Sequence, residues 1–124
     1  MALKVRVTET RPSTKTVTLE GRLNSDTVVI LDDELNRVAS SPATVVVFDL
    51  EGLEYISSAG LRSIFNLQKV VTARGGKAIL VNPRPQIQKV LEIVRATDLA
   101  AVFTSVQELD RYLDAMQRKV VDGE

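Results

Sequence analysis

Two uninterrupted apolar runs, Val45-Val46-Val47-Phe48 and Ala78-Ile79-Leu80-Val81, do most to limit what this chain can fold into. Each has strand length and no polar interruption, the pattern of a central strand covered on both faces. Between them, Leu61, Ile64, Phe65, Gln68 and Val71 recur at helical spacing, with Leu67 and Val70 beside that stripe. Gly75-Gly76 then closes the helix. A strand, a helix and a second strand in one sheet must be parallel, and the crossover is almost always right-handed.

The remaining segments extend this unit in both directions. Leu3, Val5 and Val7 alternate with Lys4, Arg6 and Thr8, and Val17 and Leu19 with Thr18 and Glu20. With the Pro12-Ser13-Thr14 turn between them, these read as an antiparallel hairpin ending at Gly21. Asn24-Ser25-Asp26 offers N-cap residues ahead of Val28, Leu31, Leu35 and Val38, a helix with Asp32, Asp33 and Glu34 facing out. Pro85 fits the first turn of a helix carrying Ile87, Val90, Leu91 and Val94. Ala101-Val102-Phe103 is a candidate last strand. Ser105-x-x-Glu108 forms a capping box before Val106, Leu109, Leu113, Met116 and Val120, a helix expected to pack on the sheet. The expectation is one α/β domain over residues 1–121, with 122–124 a frayed tail. Its sheet is mixed but mostly parallel, with four or five strands and about four helices in the order β-β-α-β-α-β-α-(β)-α.

Composition removes several functions. With 16 basic and 16 acidic residues the net charge is zero. Neither nucleic acid nor an anionic membrane surface is an expected partner, since both call for a basic face. The chain has no cysteine and no histidine. Thiol chemistry is therefore impossible, and the commonest general base and transition-metal ligand are missing. No metal or other cofactor is expected. No apolar stretch approaches the ~20 residues of a membrane-spanning helix, and the N-terminus lacks a signal-peptide core, so the cytoplasm is the default compartment.

The parallel strands bring three segments to one edge: Leu23 to Asp26, Glu51 to Gly60, and Asn82 to Pro85. Open α/β sheets carry their sites at such carboxyl edges. The middle segment holds Glu54-Tyr55-Ile56-Ser57-Ser58-Ala59-Gly60-Leu61-Arg62. Ser58 falls at or near the N-cap of the following helix, where its hydroxyl can pair an orphan backbone N–H. Gly60 permits close packing of that helix end on the sheet. A second reading is phosphorylation, because a helix N-terminus tolerates a phosphate and the modification need not disturb the fold. It requires a hydroxyl that stays reachable among small neighbours.

The run from Val45 to Arg62, VVVFDLEGLEYISSAGLR, resembles the signature of the STAS family, the anti-sigma factor antagonist domains. Family members share the element order above, so the resemblance covers nearly the whole chain. It implies a fold of that kind and phosphorylation of Ser58, with Ser57, at a position often acidic in the family, as the lesser candidate. Gly60-Leu61 falls on the motif's characteristic pair, and Asn24 stands where the first loop often carries Asp. The implied mechanism is partner switching in transcription regulation. The unphosphorylated protein binds a serine kinase that is also an anti-sigma factor, of the histidine-kinase-like ATP fold, and phosphorylation releases it. A PP2C-type phosphatase resets the switch. The implied partner surface comprises Asn24, Ser25, Asp26, Ser57, Ser58, Ala59, Gly60, Leu61, Arg62, Asn66 and Pro83. A phosphate there would lie near Asp26, Glu51 and Glu54.

Two other classes stay open. An enzyme would need a base for a serine nucleophile, and with no histidine and no Ser-x-x-Lys pattern at that edge none is offered. A STAS module that never switches would be a fixed subunit of a transporter or signalling assembly. A monomer or weak dimer is expected, with the last helix the candidate dimer element. Arg62, Lys69 and Arg74 read as a solvated helix face.

Overall fold

The computed structural model describes residues 2–96, 102–103 and 105–123. Chain order is β1 (Leu3–Arg11), β2 (Thr14–Leu23), α1 (Val28–Ser40), β3 (Val45–Ile56), α2 (Ser58–Ala73), β4 (Lys77–Val81), α3 (Pro85–Ala96) and α4 (Val106–Asp122). The four strands form one sheet in the order β1-β2-β3-β4. β1 and β2 are the antiparallel hairpin, and β2–β3 and β3–β4 pair in parallel. This is the expected mixed α/β architecture. Of the candidate last strand, Ala101 lies outside the described residues. Val102 is helical, and Phe103 belongs to no strand. The Phe103 ring packs on Tyr112 instead, with centroids 5.1 Å apart.

Apolar residues on one sheet face meet those of α1, α2, α3 and α4 in a single core. Val17, Leu19, Val46, Phe48 and Leu50 come from the strands, and Leu31, Ile64, Ile87 and Leu113 from the helices. The other face is more open than the unbroken apolar run suggested. β3 buries Val46, Phe48 and Leu50, whereas Val45, Val47 and Asp49 between them are half-buried, and Ile79 on β4 is exposed. β-branched residues suit such a half-covered pleat, so continuity in sequence does not here require cover on both sides.

The strands also run further than their periodicity indicated. β3 carries two extra residues relative to β2, one between the Thr18–Asp49 and Glu20–Gly52 pairs and one between Gly21–Leu53 and Arg22–Tyr55. Such bulges break the period of two that marks a strand in sequence. Glu51 and Glu54 therefore lie on β3, not in a loop, and only Ser57 separates β3 from α2. β2 likewise continues through Gly21, at φ +106°, to Leu23.

Helix ends follow local chemistry. Gly75 takes φ +84° after α2, and the Gly75 and Gly76 amides return to Thr72 O and Val71 O. Arg74, read from sequence as a solvated cation, donates its guanidinium to the carbonyls of Ala39, Ser41 and Ala43 and so closes the end of α1. Asp32 does not simply face out: its carboxylate accepts from Ser63 Oγ at 2.6 Å, joining α1 to α2. α4 packs against α3 and reaches the start of α2, and it meets the sheet through Leu113 and through Gln117 at Ile56.

Gly60 sets the depth at which α2 meets the sheet. A Cβ there would lie 2.6 Å from Leu23 Cγ and 3.0 Å from Ile56 Cγ1, both on buried residues. Alanine gains about 1 kcal/mol of helix propensity over glycine, but overpacking a full core costs roughly 1–3 kcal/mol. Gly60→Ala is therefore expected to lower the unfolding free energy by up to about 2 kcal/mol in urea titration.

Candidate functional site

The junction of β3 and α2 is built from backbone that would otherwise lack partners. β4 ends opposite Asp49, so, among the described residues, 50–56 of β3 have no strand on that side. Side chains supply the pairing. Arg84 Nε donates to Glu51 O at 2.7 Å, and Gln86 Nε2 to Glu54 O at 2.9 Å. Gln117, from α4, meets Ile56 twice: its Oε1 accepts from Ile56 N at 3.0 Å and its Nε2 donates to Ile56 O at 2.8 Å. The Gln117 side chain is thus placed as a strand residue's peptide group would be. It is 2% exposed, and its Nε2 also reaches Leu113 O.

At the start of α2, Ser57 and not Ser58 is the N-cap. Ser57 Oγ accepts from Gly60 N at 3.4 Å, and Ser57 N donates to Leu23 O. Ser58 is the first helical residue, and both its donors go to one carboxylate. Its N–H reaches Asp110 Oδ1 at 2.8 Å and its hydroxyl reaches Asp110 Oδ2 at 3.1 Å. A carboxylate is favoured there, since the N-terminal amides and the helix dipole both stabilise negative charge. Asp110, one face of α4 with Leu113 and Gln117, was not among the acidic residues expected beside Ser58.

Ser58 is only 9% exposed, and its hydroxyl is engaged by Asp110. α4 covers it, although only Leu113 and Gln117 of that helix are fully buried. Burying Leu113 contributes about 2 kcal/mol, and each well-made hydrogen bond adds about 1 kcal/mol net. On its Ser58 side α4 is held by Asp110, Leu113 and Gln117, while it also packs on α3.

The first two segments expected at this edge do converge. Leu23 pairs with Ile56, and the following turn is organised by Asn24, whose Oδ1 accepts from the amides of Asp26 and Thr27. Thr27 is the residue preceding α1, without a side-chain cap, so Asn24 acts one turn earlier than a helix cap. Ser25 and Asp26 are exposed and Asn24 is half-buried. Gly60 and Leu61 are buried, and Ala59 is half-buried. Ala59, Arg62 and Asn66 lie along a groove of about 310 Å³ between α1 and α2. The third segment falls short. Pro83 sits where β4 leads into α3, and its neighbours Asn82 and Arg84 bond Asp49 and Glu51, well back along β3.

Tyr55 closes the solvent side beneath α4. Arg22 lies over its ring, 4.2 Å from the centroid. Burial, together with the Asp114 and Asp110 carboxylates, raises its pKa from the ordinary 10.0. The neutral phenol is the form the fold favours. Stability from this group is therefore complete below about pH 10 and is lost as pH rises from there through the folded-state value. Tyr55→Phe is expected to remove the latest component of tyrosinate absorbance and to flatten the alkaline fall in stability. Gln117→Leu keeps the bulk but leaves the buried Ile56 N–H and C=O unpaired. It should cost about 2–4 kcal/mol in denaturant unfolding.

The STAS domain profile matches residues 6–109. A candidate anti-sigma factor antagonist of Bordetella bronchiseptica, BtrV, is 36% identical over 75 residues, covering 60% of this chain and 65% of the relative. An anti-sigma F factor antagonist of Lysinibacillus sphaericus is 29% identical over 80 residues, 64% of each chain. The matched segment thus spans a little under two thirds of either relative. Among solved structures, SpoIIAA in its unphosphorylated form superposes with a TM-score of 0.63 at 21% identity, over 72% of this chain and 82% of that one. The phosphorylated form, from Bacillus, gives 0.64 at 21%, over 80% and 96%. Strand order, helix placement and the profile match agree, and the chain belongs to the STAS domain family.

Proposed function

We propose that this chain is an anti-sigma factor antagonist working by partner switching, a ligand and substrate of a kinase and not itself a catalyst. Unphosphorylated, it binds a serine kinase and anti-sigma factor of the histidine-kinase-like ATP fold. The kinase transfers the γ-phosphoryl group of its ATP to Ser58 Oγ. The new O–P bond forms as the bond to ADP breaks, and the hydroxyl proton passes to a base. The phosphorylated protein then leaves, and a PP2C-type phosphatase hydrolyses the ester to restore Ser58. Ser57 is the weaker candidate acceptor, since its oxygen already caps α2.

The observation that carries this reading is Ser58 as the first residue of α2, at the carboxyl end of β3, in a chain of this family. The names of the two relatives support it. So does the groove beside the site, where Ala59, Arg62 and Asn66 offer a small, a cationic and an amide side chain to an incoming surface. Ser25 and Asp26 extend that surface, and Asn24 shapes the turn that presents them. Leu61 and Gly60 act through packing, being buried. A phosphate at this point adds about −1.5 to −2 charges with their hydration. A loss of ~3 kcal/mol in binding weakens a complex more than a hundredfold.

The burial of Ser58 under α4 favours a second reading, a fixed STAS subunit of a transporter or signalling assembly that never switches. One experiment separates the two. Lysate from the organism of origin is passed over immobilised wild type, Ser58→Ala and Ser58→Asp proteins, and the captured kinase is then incubated with each protein and ATP. Wild type and Ser58→Ala should retain the kinase and Ser58→Asp should lose it. Phosphate should appear on wild type alone. Equal retention by all three, or full phosphorylation of Ser58→Ala, overturns the switching reading.

A further inference from the structure

The Ser58 hydroxyl that partner switching requires is bonded to Asp110, on a helix from the other end of the chain. α4 touches the site through three residues on one face. Asp110 takes both donors of Ser58, Leu113 enters the core, and Gln117 pairs with Ile56. Leu109 and Met116 of the same helix pack against the core, and α4 rests on α3. Two of its residues are fully buried, Val106 and Val121 are exposed, and a groove of about 250 Å³ runs beneath its C-terminal half beside Tyr55 and Arg22. Elements at the end of a chain can open locally while the rest of the domain stays folded.

The N-terminus of α2 is already occupied by an anion. Asp110 brings a carboxylate to the first amide of the helix and to the oxygen on which a phosphate would be built. A phosphate on Ser58 Oγ removes the proton that now bonds Asp110 Oδ2. It also sets two negative groups at about hydrogen-bonding separation. At an effective dielectric near 20, like charges about 4 Å apart shift a closed-to-open equilibrium by on the order of a hundredfold or more.

We propose that α4 is a strap released by phosphorylation: Asp110 holds the place at the start of α2 that a Ser58 phosphate takes, so the docked helix and the phosphate exclude one another. The inference rests on the reading of Ser58 as the phosphoacceptor. By linkage, a strap that disfavours the phosphate is itself disfavoured by the phosphate to the same degree. The unmodified protein therefore meets its kinase with Ser58 covered for most of the time, and phosphorylation bares the free edge of β3 at Ile56. Modification then alters the protein's own outline, where an adhering charge alone would alter only its surface.

The test needs no kinase. Phosphoserine is placed at position 58 by genetic encoding, and hydrogen exchange is followed by mass spectrometry in peptides covering 106–122 and in β2 and β3. In the phosphoserine protein the α4 amides should exchange at least about tenfold faster than in the unmodified protein, with the strands unchanged. Asp110→Asn, whose amide can donate to the phosphate, should restore α4 protection in the phosphoserine background. Protection of α4 within twofold of the unmodified protein overturns the proposal. So does loss of protection in the strands together with α4, and so does faster α4 exchange that Asp110→Asn leaves unchanged. If phosphoserine frees α4 but Ser58→Ala and Ser58→Asp capture kinase equally, partner switching fails and the strap stands. A capture difference with α4 still docked overturns the strap alone.

Discussion

Strand β3 outruns its neighbour β4, and much of the site follows from that single inequality of length. A buried peptide group without a partner costs about as much as a lost hydrogen bond, so the overhanging residues 50–56 must be answered by something other than a strand. Three side chains do so: Arg84 and Gln86 from the start of α3, and Gln117 from α4. α3 and α4 are thereby tied to the carboxyl end of the sheet. The tie from α4 brings Asp110 within reach of Ser58. The cover over Ser58 is thus a by-product of how the exposed edge of β3 is satisfied.

The two helix ends around Ser58 illustrate how position and charge combine. Ser57 in extended backbone caps α2, leaving the Ser58 amide as the next donor in need of an acceptor. An anion at that point gains from both the amide and the helix dipole. The same preference applies to a carboxylate from α4 and to a phosphate on Ser58, which is why the two compete. The groove between α1 and α2 lies alongside but is lined by other residues, so a partner can engage Arg62 and Asn66 whether or not α4 is docked.

Fold class was legible because it depends on periodicity. The apolar stripes of α1, α2 and α3, the hairpin, the glycine stop after α2, Pro85 at the head of α3 and the Ser105 cap of α4 are all local signals, and each appears where its chemistry put it. The length of β3 was not legible, since its two bulges displace the alternation that would have continued the strand through Leu53 and Ile56. Ser57 and Ser58 could not be ordered from sequence because either hydroxyl suits a cap. Their roles separate only when Asp110, more than fifty residues away, claims the second. Asp110 and Gln117 are polar residues on an amphipathic helix, and polar residues there read as solvated. Both stand one turn from an apolar stripe residue, Asp110 beyond Val106 and Gln117 beyond Leu113, as polar exceptions on the stripe's face.

Gln117 carries an implication for how freely this chain can vary. Most interior positions accept any apolar group of suitable volume with modest loss, and Phe48 or Ile64 can be expected to drift in that way. Position 117 is different, because it must present a donor and an acceptor side by side at the spacing of a peptide unit. Among side chains only a carboxamide does this, and the shorter one cannot bridge the same gap from the same helix. A residue that sequence composition would class as replaceable surface is therefore more narrowly specified than the hydrophobic centre.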